Sequence, residues 1–242
     1  MPNTVVIGKD LPDGLDFVKA IAGIDRTVFT CMKTEADTVN FESQNIFGST
    51  WNKGSAVSAY SFFIKAETKL QKINEVIFYF DTSYFCSKFD SERTDEIAAG
   101  LDSMVNAYLY ASGELLKRLE QTREKTVVTF LLREYPSKHE MLLAKTPGGA
   151  PASTIVSAAQ AAFISLAESF STNVTEKNYL SVILARCNQA NELYKSEYSI
   201  AKWVSESMDA IASQKNVQTL KQATTWNKVG SKLQGGFTLF SR

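Results

Sequence analysis

The chain has 242 residues, 44% of them hydrophobic, and its 26 basic and 26 acidic side chains cancel. That length and apolar share suit one α/β domain, expected to span residues 1–242. Charge balance leaves no field to hold a phosphate backbone or an anionic bilayer, so neither nucleic acid nor a membrane is an expected partner.

Taken in chain order, short β-branched or aromatic runs alternate with longer amphipathic segments, the pattern of βαβ units in a parallel sheet. Strands are predicted at Thr4 to Ile7, Thr27 to Cys31, Thr38 to Phe41, Glu75 to Phe80, Thr126 to Leu132, Tyr179 to Ala185 and Phe237 to Phe240. Helices are predicted at Asp13 to Ala22, Ala56 to Leu70, Thr94 to Leu119, 153 to 171 and Glu197 to Ala212. Right-handed crossovers then place helices on both faces of about seven strands, a three-layer α/β/α sandwich of Rossmann-like, doubly wound kind.

Three stretches interrupt the alternation. "FGSTWNKGS", within the irregular segment between Asp37 and Ala56, reads as loop. Residues 133–151 are too long and too rich in Pro and Gly for a simple connection and read as an irregular insert. Residues 213–234 are polar and carry no clear period.

Cys31, Cys86 and Cys187 are odd in number, far apart and set among apolar residues, which fits reduced thiols in the cytoplasm. No metal-ligand spacing occurs. The opening "MPNTVVIGKD" has no basic region followed by an apolar run, and no stretch is long and apolar enough to span a bilayer, so a soluble cytoplasmic protein is expected.

The stretch "SAAQAAFISLAESF", residues 157 to 170, together with the order of elements, resembles the short-chain dehydrogenase/reductase family, whose corresponding helix reads "SASKAALxxLxxxLA". The resemblance implies a dinucleotide, NAD or NADP, and a Tyr with a Lys four residues later on one helical face. The Tyr exchanges a proton with substrate while the Lys lowers its pKa; a spacing of four puts both on the same side. Laid on this sequence the two positions are Val156 and Gln160. Val has no proton to give and Gln no charge to stabilise a phenolate.

Other family positions have drifted too. The Gly-rich phosphate turn, GxxxGxG, falls on "GKDLPDG": Gly8 and Gly14 remain, but Pro12 stands at the middle Gly, without an N–H and with φ fixed. Asp10 and Asp13 add negative charge where a pyrophosphate arrives. The "NNAG" segment becomes "DTSYF", residues 81 to 85, with Tyr84 and Phe85 in place of small residues. The family Ser falls near Leu132, the "PG" near Cys187 and Asn188, and the family Asn is retained as Asn106.

Two decoys carry Tyr and Lys. Tyr198 and Lys202 have the family spacing but follow the strand that the family's Tyr helix should precede, and Tyr60 and Lys65 are five apart and diverge. The resemblance therefore points to a pseudoenzyme, with no catalytic residue and no cofactor expected. The alternative is an atypical oxidoreductase that binds NAD or NADP and uses a relocated donor such as Tyr198, Tyr84 or His139. A third reading is a binding module for another small ligand at the carboxyl ends of the strands, lined by residues 47 to 58 and 133 to 151.

In the family two long helices, here 94–119 and 153–171, pack against the same pair of a second subunit, which implies a homodimer or homotetramer and leaves room for a protein partner. Helix 153–171 carries Ile155, Ala158, Ala159, Ala162, Phe163, Leu166 and Phe170 at helical spacing, with Ser and Ala over much of the rest.

Overall fold

A computed structural model of the chain describes residues 1–34, 45–89, 93–144, 152–214 and 218–233. Seven parallel strands form one sheet: β1 (Asn3–Leu11), β2 (Thr27–Met32), β3 (Ile46–Thr50), β4 (Glu75–Asp81), β5 (Thr126–Arg133), β6 (Leu180–Cys187) and β7 (Trp226–Lys228). Their spatial order is β3-β2-β1-β4-β5-β6-β7, so the winding direction reverses between β1 and β4.

Because successive strand residues point to opposite faces, the same strands feed two cores. Val5, Ile7, Phe78, Phe80, Phe130 and Leu132 face one layer, with α2 (Ala56–Leu70), α5 (Ala107–Thr122) and α7 (Thr154–Val174). Val6, Ile77, Tyr79, Leu131 and Ile183 face the other, with α1 (Leu15–Ala22) and α8 (Glu197–Ala212). The first core is dense in aromatic rings: Phe78 stacks on Phe130 at 4.9 Å, and Phe163 of α7 lies 5.0 Å from Tyr108 and 5.2 Å from Phe80. Such ring contacts add to the burial that fastens α5 and α7 to the sheet.

The remaining helices are short: α3 (Thr82–Cys86), α4 (Thr94–Leu101), α6 (Lys138–Ala144) and α9 (Leu220–Thr224). The predicted long helix from Thr94 is thus α4 and α5 joined by a π-helical turn, Asp102–Asn106. Segment 133–151 contains α6, and segment 213–234 contains α9 and β7. Among the described residues no helix is long and apolar enough to cross a membrane.

Two expectations need correction. Ile46–Thr50 is not loop: it pairs in parallel with Val28–Met32 as the edge strand β3. Gly48 hides it from a pattern search, and the reason for that glycine is a close approach, since a Cβ there would lie 2.4 Å from the Thr30 carbonyl oxygen. Second, β1 does not stop at Ile7. It runs to Leu11 with a shift of register after Val6, so only residues 12–14 turn towards α1. The strands predicted at Thr38 to Phe41 and Phe237 to Phe240 lie outside the described residues.

Candidate functional site

In an open parallel sheet, ligands settle outside the carboxyl ends of the strands where the winding reverses, here between β1 and β4. The carboxyl-terminal parts of three neighbouring strands carry charge: Lys9 on β1, Asp81 on β4 and Arg133 on β5. A fourth charge comes from Glu197, the first residue of α8, whose Ser196 caps the helix by accepting from the Ser199 N–H.

These four side chains form one network of ion pairs. Lys9 Nζ lies 2.8 Å from Asp81 and 2.5 Å from Glu197, and the Arg133 guanidinium lies 3.1 Å from Asp81 and 2.9 Å from Glu197. All are largely screened from solvent, Asp81 being only 2% exposed. The Tyr79 hydroxyl donates to Glu197 at 3.0 Å, and Arg133 donates to the Tyr194 carbonyl at 2.7 Å while its guanidinium carbon sits 4.5 Å over the Tyr194 ring. Tyr194 in turn shares a 2.7 Å hydrogen bond with Ser83. Burial opposes the charge on Arg133, but the carboxylates of Asp81 and Glu197 help to outweigh it and its pKa is raised. Burial, then Asp81 and Glu197, drive the Tyr79 phenol well above its ordinary value, so it stays protonated.

Beside this quartet the turn into α1 is closed. The Gly14 N–H donates to the Asp10 carbonyl at 3.1 Å and the Leu15 N–H to the Pro12 carbonyl at 3.0 Å. Asp13 takes Lys33 at 2.8 Å and Lys88 at 3.1 Å, and Asp10 takes Lys53 at 2.9 Å. Asp81 also caps α3, accepting from the Ser83 and Tyr84 N–H groups, which turns "DTSYF" into a helical turn and holds the Tyr84 ring 6.0 Å from Lys9.

The residues singled out in the sequence fall as follows. Val156, on α7, is fully buried in the aromatic core, and Leu132 joins the same core. Gln160 accepts a 2.5 Å hydrogen bond from the hydroxyl of Thr82, the first residue of α3. Asn106 closes the π-helical turn, donating to Asp102 at 2.7 Å. A Cβ on Gly8 would lie 2.4 Å from the Tyr79 carbonyl oxygen, and one on Gly14 would lie 2.6 Å from that of Lys9, so both glycines answer to chain packing. Tyr198 is 60% exposed on α8, against the opposite face of the sheet from α7, and Lys202 lies 3.9 Å from Glu206. His139 is exposed on α6.

Sequence reasoning did not bring Lys9, Asp81, Arg133 and Glu197 together. The signal was present: "VIFYF" leads to Asp81 and "FLL" to Arg133, each a charge directly after an apolar run at a strand's carboxyl end.

No protein-family model matches this sequence, and no curated protein matches it. The fold is shared with solved structures. A short chain dehydrogenase from Mycobacterium smegmatis superposes with a TM-score of 0.65 over 96% of this chain and 93% of its own, at 10% identity. ElxO, solved with NADP bound, gives 0.63 over 94% and 96%, also at 10% identity. A short-chain dehydrogenase/reductase from Serratia marcescens gives 0.55 over 77% and 73% at 12% identity. The chain therefore has the short-chain dehydrogenase/reductase fold.

Proposed function

We propose that the protein is a catalytically degenerate relative of the short-chain dehydrogenase/reductases, a pseudoenzyme whose fold, one unit over residues 1–242, serves self-association or the binding of a protein partner in the cytoplasm. One observation carries the reading: the crevice at the winding reversal is filled by the protein's own charges. Lys9 and Arg133 against Asp81 and Glu197 are two cations and two anions, so no charge is left over for a pyrophosphate.

The backbone supports the same reading. Phosphate at a helix start is held by free N–H groups and the helix dipole. Here Gly14 and Leu15 already donate within the turn, Pro12 has no N–H, and the lysines beside the turn are held in ion pairs by Asp10 and Asp13. A dinucleotide does not fit these residues. At the donor position, a valine in the core and a glutamine tied to Thr82 supply neither a proton nor a cation.

Self-association has its own support. On the outer side of α4 and α5, Leu101 and Leu109 are 42% and 47% exposed, and Gly113, one turn beyond Leu109, is exposed as well. On α7 three exposed positions, Ala158, Ala161 and Ser165, are small, which permits a close helix approach there. We take these faces as the seam of a homodimer or homotetramer.

Titration of the protein with NADH and NADPH, followed by nicotinamide fluorescence, tests the reading. No saturable binding is expected; micromolar affinity for either one overturns it in favour of an oxidoreductase with relocated catalytic groups.

A further inference from the structure

The outward side of α2 carries an apolar row that belongs to neither core. Val57, Tyr60 and Ile64 follow one another at intervals of three and four, which puts them on one side of the helix, and all three are exposed, Val57 by 74%. At the helical rise the row is roughly 10 Å long. Apolar side chains scattered singly need no explanation, but a contiguous row rimmed by polar groups marks an interaction surface.

The rim is cationic. Lys117 and Arg118 of α5 approach the centre of the Tyr60 ring to 5.9 and 5.1 Å, and Arg118 also donates to the Tyr60 carbonyl at 3.3 Å, so the row is braced from the α5 side. On the border away from α5, Lys65 stands beside Ser61. Together α2 and α5 carry Lys65, Lys69, Lys117 and Arg118 against Glu67, Glu114 and Glu120. Arg118 bridges Glu67 and Glu114, and Glu120 takes Lys177 from outside the helix pair at 2.8 Å, so an excess of at least two positive charges remains. A fixed Tyr beside an Arg is the kind of anchor on which binding energy concentrates.

We infer that this surface docks one helix of a partner protein, an amphipathic helix whose apolar stripe is bordered by Asp or Glu. The apolar side chains of the partner lie along Val57, Tyr60 and Ile64, and its carboxylates meet Lys65 on one border and Lys117 on the other. A flat anionic bilayer would press on Glu67 and Glu114 together with the lysines, whereas the two rows of a helix address the cations alone. The assignment rests on the partner-binding role proposed above and names the chemistry of the partner.

Fluorescence anisotropy of a labelled helical peptide, with leucine at every third or fourth position and glutamate on both flanking rows, titrated with the full chain tests it. The peptide binds saturably, and its counterpart with lysine for glutamate binds at least about tenfold more weakly. Ile64→Glu and Lys117→Glu change exposed side chains; each weakens the acidic peptide by about tenfold while the melting temperature is kept. Leu109→Arg, which lies off the row, binds as wild type. The inference is overturned by no saturable binding, by a lysine peptide equal to the acidic one, by Ile64→Glu and Lys117→Glu binding as wild type, by loss of the peptide in Leu109→Arg, or by vesicles of phosphatidylserine and phosphatidylcholine that bind the chain and release it on the same two substitutions. NADPH binding overturns the pseudoenzyme reading alone and leaves the peptide result standing.

Discussion

Lys9 on β1 and Glu197 on α8 are separated by 188 residues in the chain, and their charged atoms are 2.5 Å apart in the fold. The pair fastens the start of α8 over the carboxyl ends of the central strands, and Asp81 and Arg133 complete it. Removing one member of such a screened network leaves the others uncompensated, which costs far more than the loss of a surface pair. Glu197→Ala is expected to lower unfolding stability by about 2–4 kcal/mol in urea denaturation. Glu197→Gln, able to accept from the Tyr79 hydroxyl still, should lose less. Wild-type stability in both would show that α8 is held by its apolar face alone.

Rebuilding the family pair will not rebuild chemistry. Val156 has no exposed surface, so Val156→Tyr forces a larger side chain and a hydroxyl into the aromatic core, at about 1–3 kcal/mol. For a chain of this size that is roughly 2–12 °C in melting temperature. Gln160→Lys removes the acceptor of the Thr82 hydroxyl. The double variant should melt lower than wild type and show no NADPH consumption with ketones. Measurable ketone reduction would mean that the altered phosphate turn matters less than the geometry around Pro12 suggests.

Much of this architecture was legible in the sequence because strand and helix periods differ and each segment keeps one. Ala56–Leu70 and Glu197–Ala212 begin and end in the structure where the pattern alone predicts. What escaped was decided by contacts between distant segments. Gly48 reads as a loop residue until the Thr30 carbonyl is placed against it, and the extension of β1 to Leu11 rests on partners, such as Asp81 for Lys9 and Lys53 for Asp10, that no local window contains. The positions Val156 and Gln160 could be found by matching a helix, whereas the quartet needed four segments brought together by the fold.

Two glycines give opposite expectations. Gly8→Ala sets a Cβ 2.4 Å from the Tyr79 carbonyl oxygen, so β1 and β4 must part at the winding reversal, and a loss of more than about 2 kcal/mol is expected. Gly113→Ala, on α5, meets nothing within 4 Å and should stabilise by about 0.5–1 kcal/mol through helix propensity. Thermal denaturation of the two variants side by side checks the sign of each. A harmless Gly8→Ala would assign that glycine to something other than strand packing.

Acid should loosen the turn into α1. Burial pushes the Asp13 carboxyl up, but Lys33 and Lys88 outweigh it and hold its pKa below the ordinary carboxylate value. A folded-state pKa below the unfolded one means stability that is present above the unfolded value and lost as pH falls through the folded one. Asp13→Asn should therefore be less stable than wild type at neutral pH by under about 1 kcal/mol, given a partly exposed pair. The two should converge only in acid below the ordinary carboxylate range, once the folded-state Asp13 is itself protonated. Parallel stability curves from pH 7 down to acid unfolding would sink this assignment.

The outer stripe on α4 and α5 makes the last prediction. Leu101 and Leu109 expose apolar surface that removal from water stabilises by roughly 25 cal/mol per Å², and the small residues of α7 leave room for a second copy to approach. Leu109→Arg places a charge in the middle of that seam without touching either core, so the fold should persist while association fails. Light scattering after size exclusion should give a dimer or tetramer for wild type and a monomer for Leu109→Arg, with matching circular dichroism spectra. A wild-type monomer at micromolar concentration removes self-association from the proposed role and leaves a protein partner as the occupant of these helices.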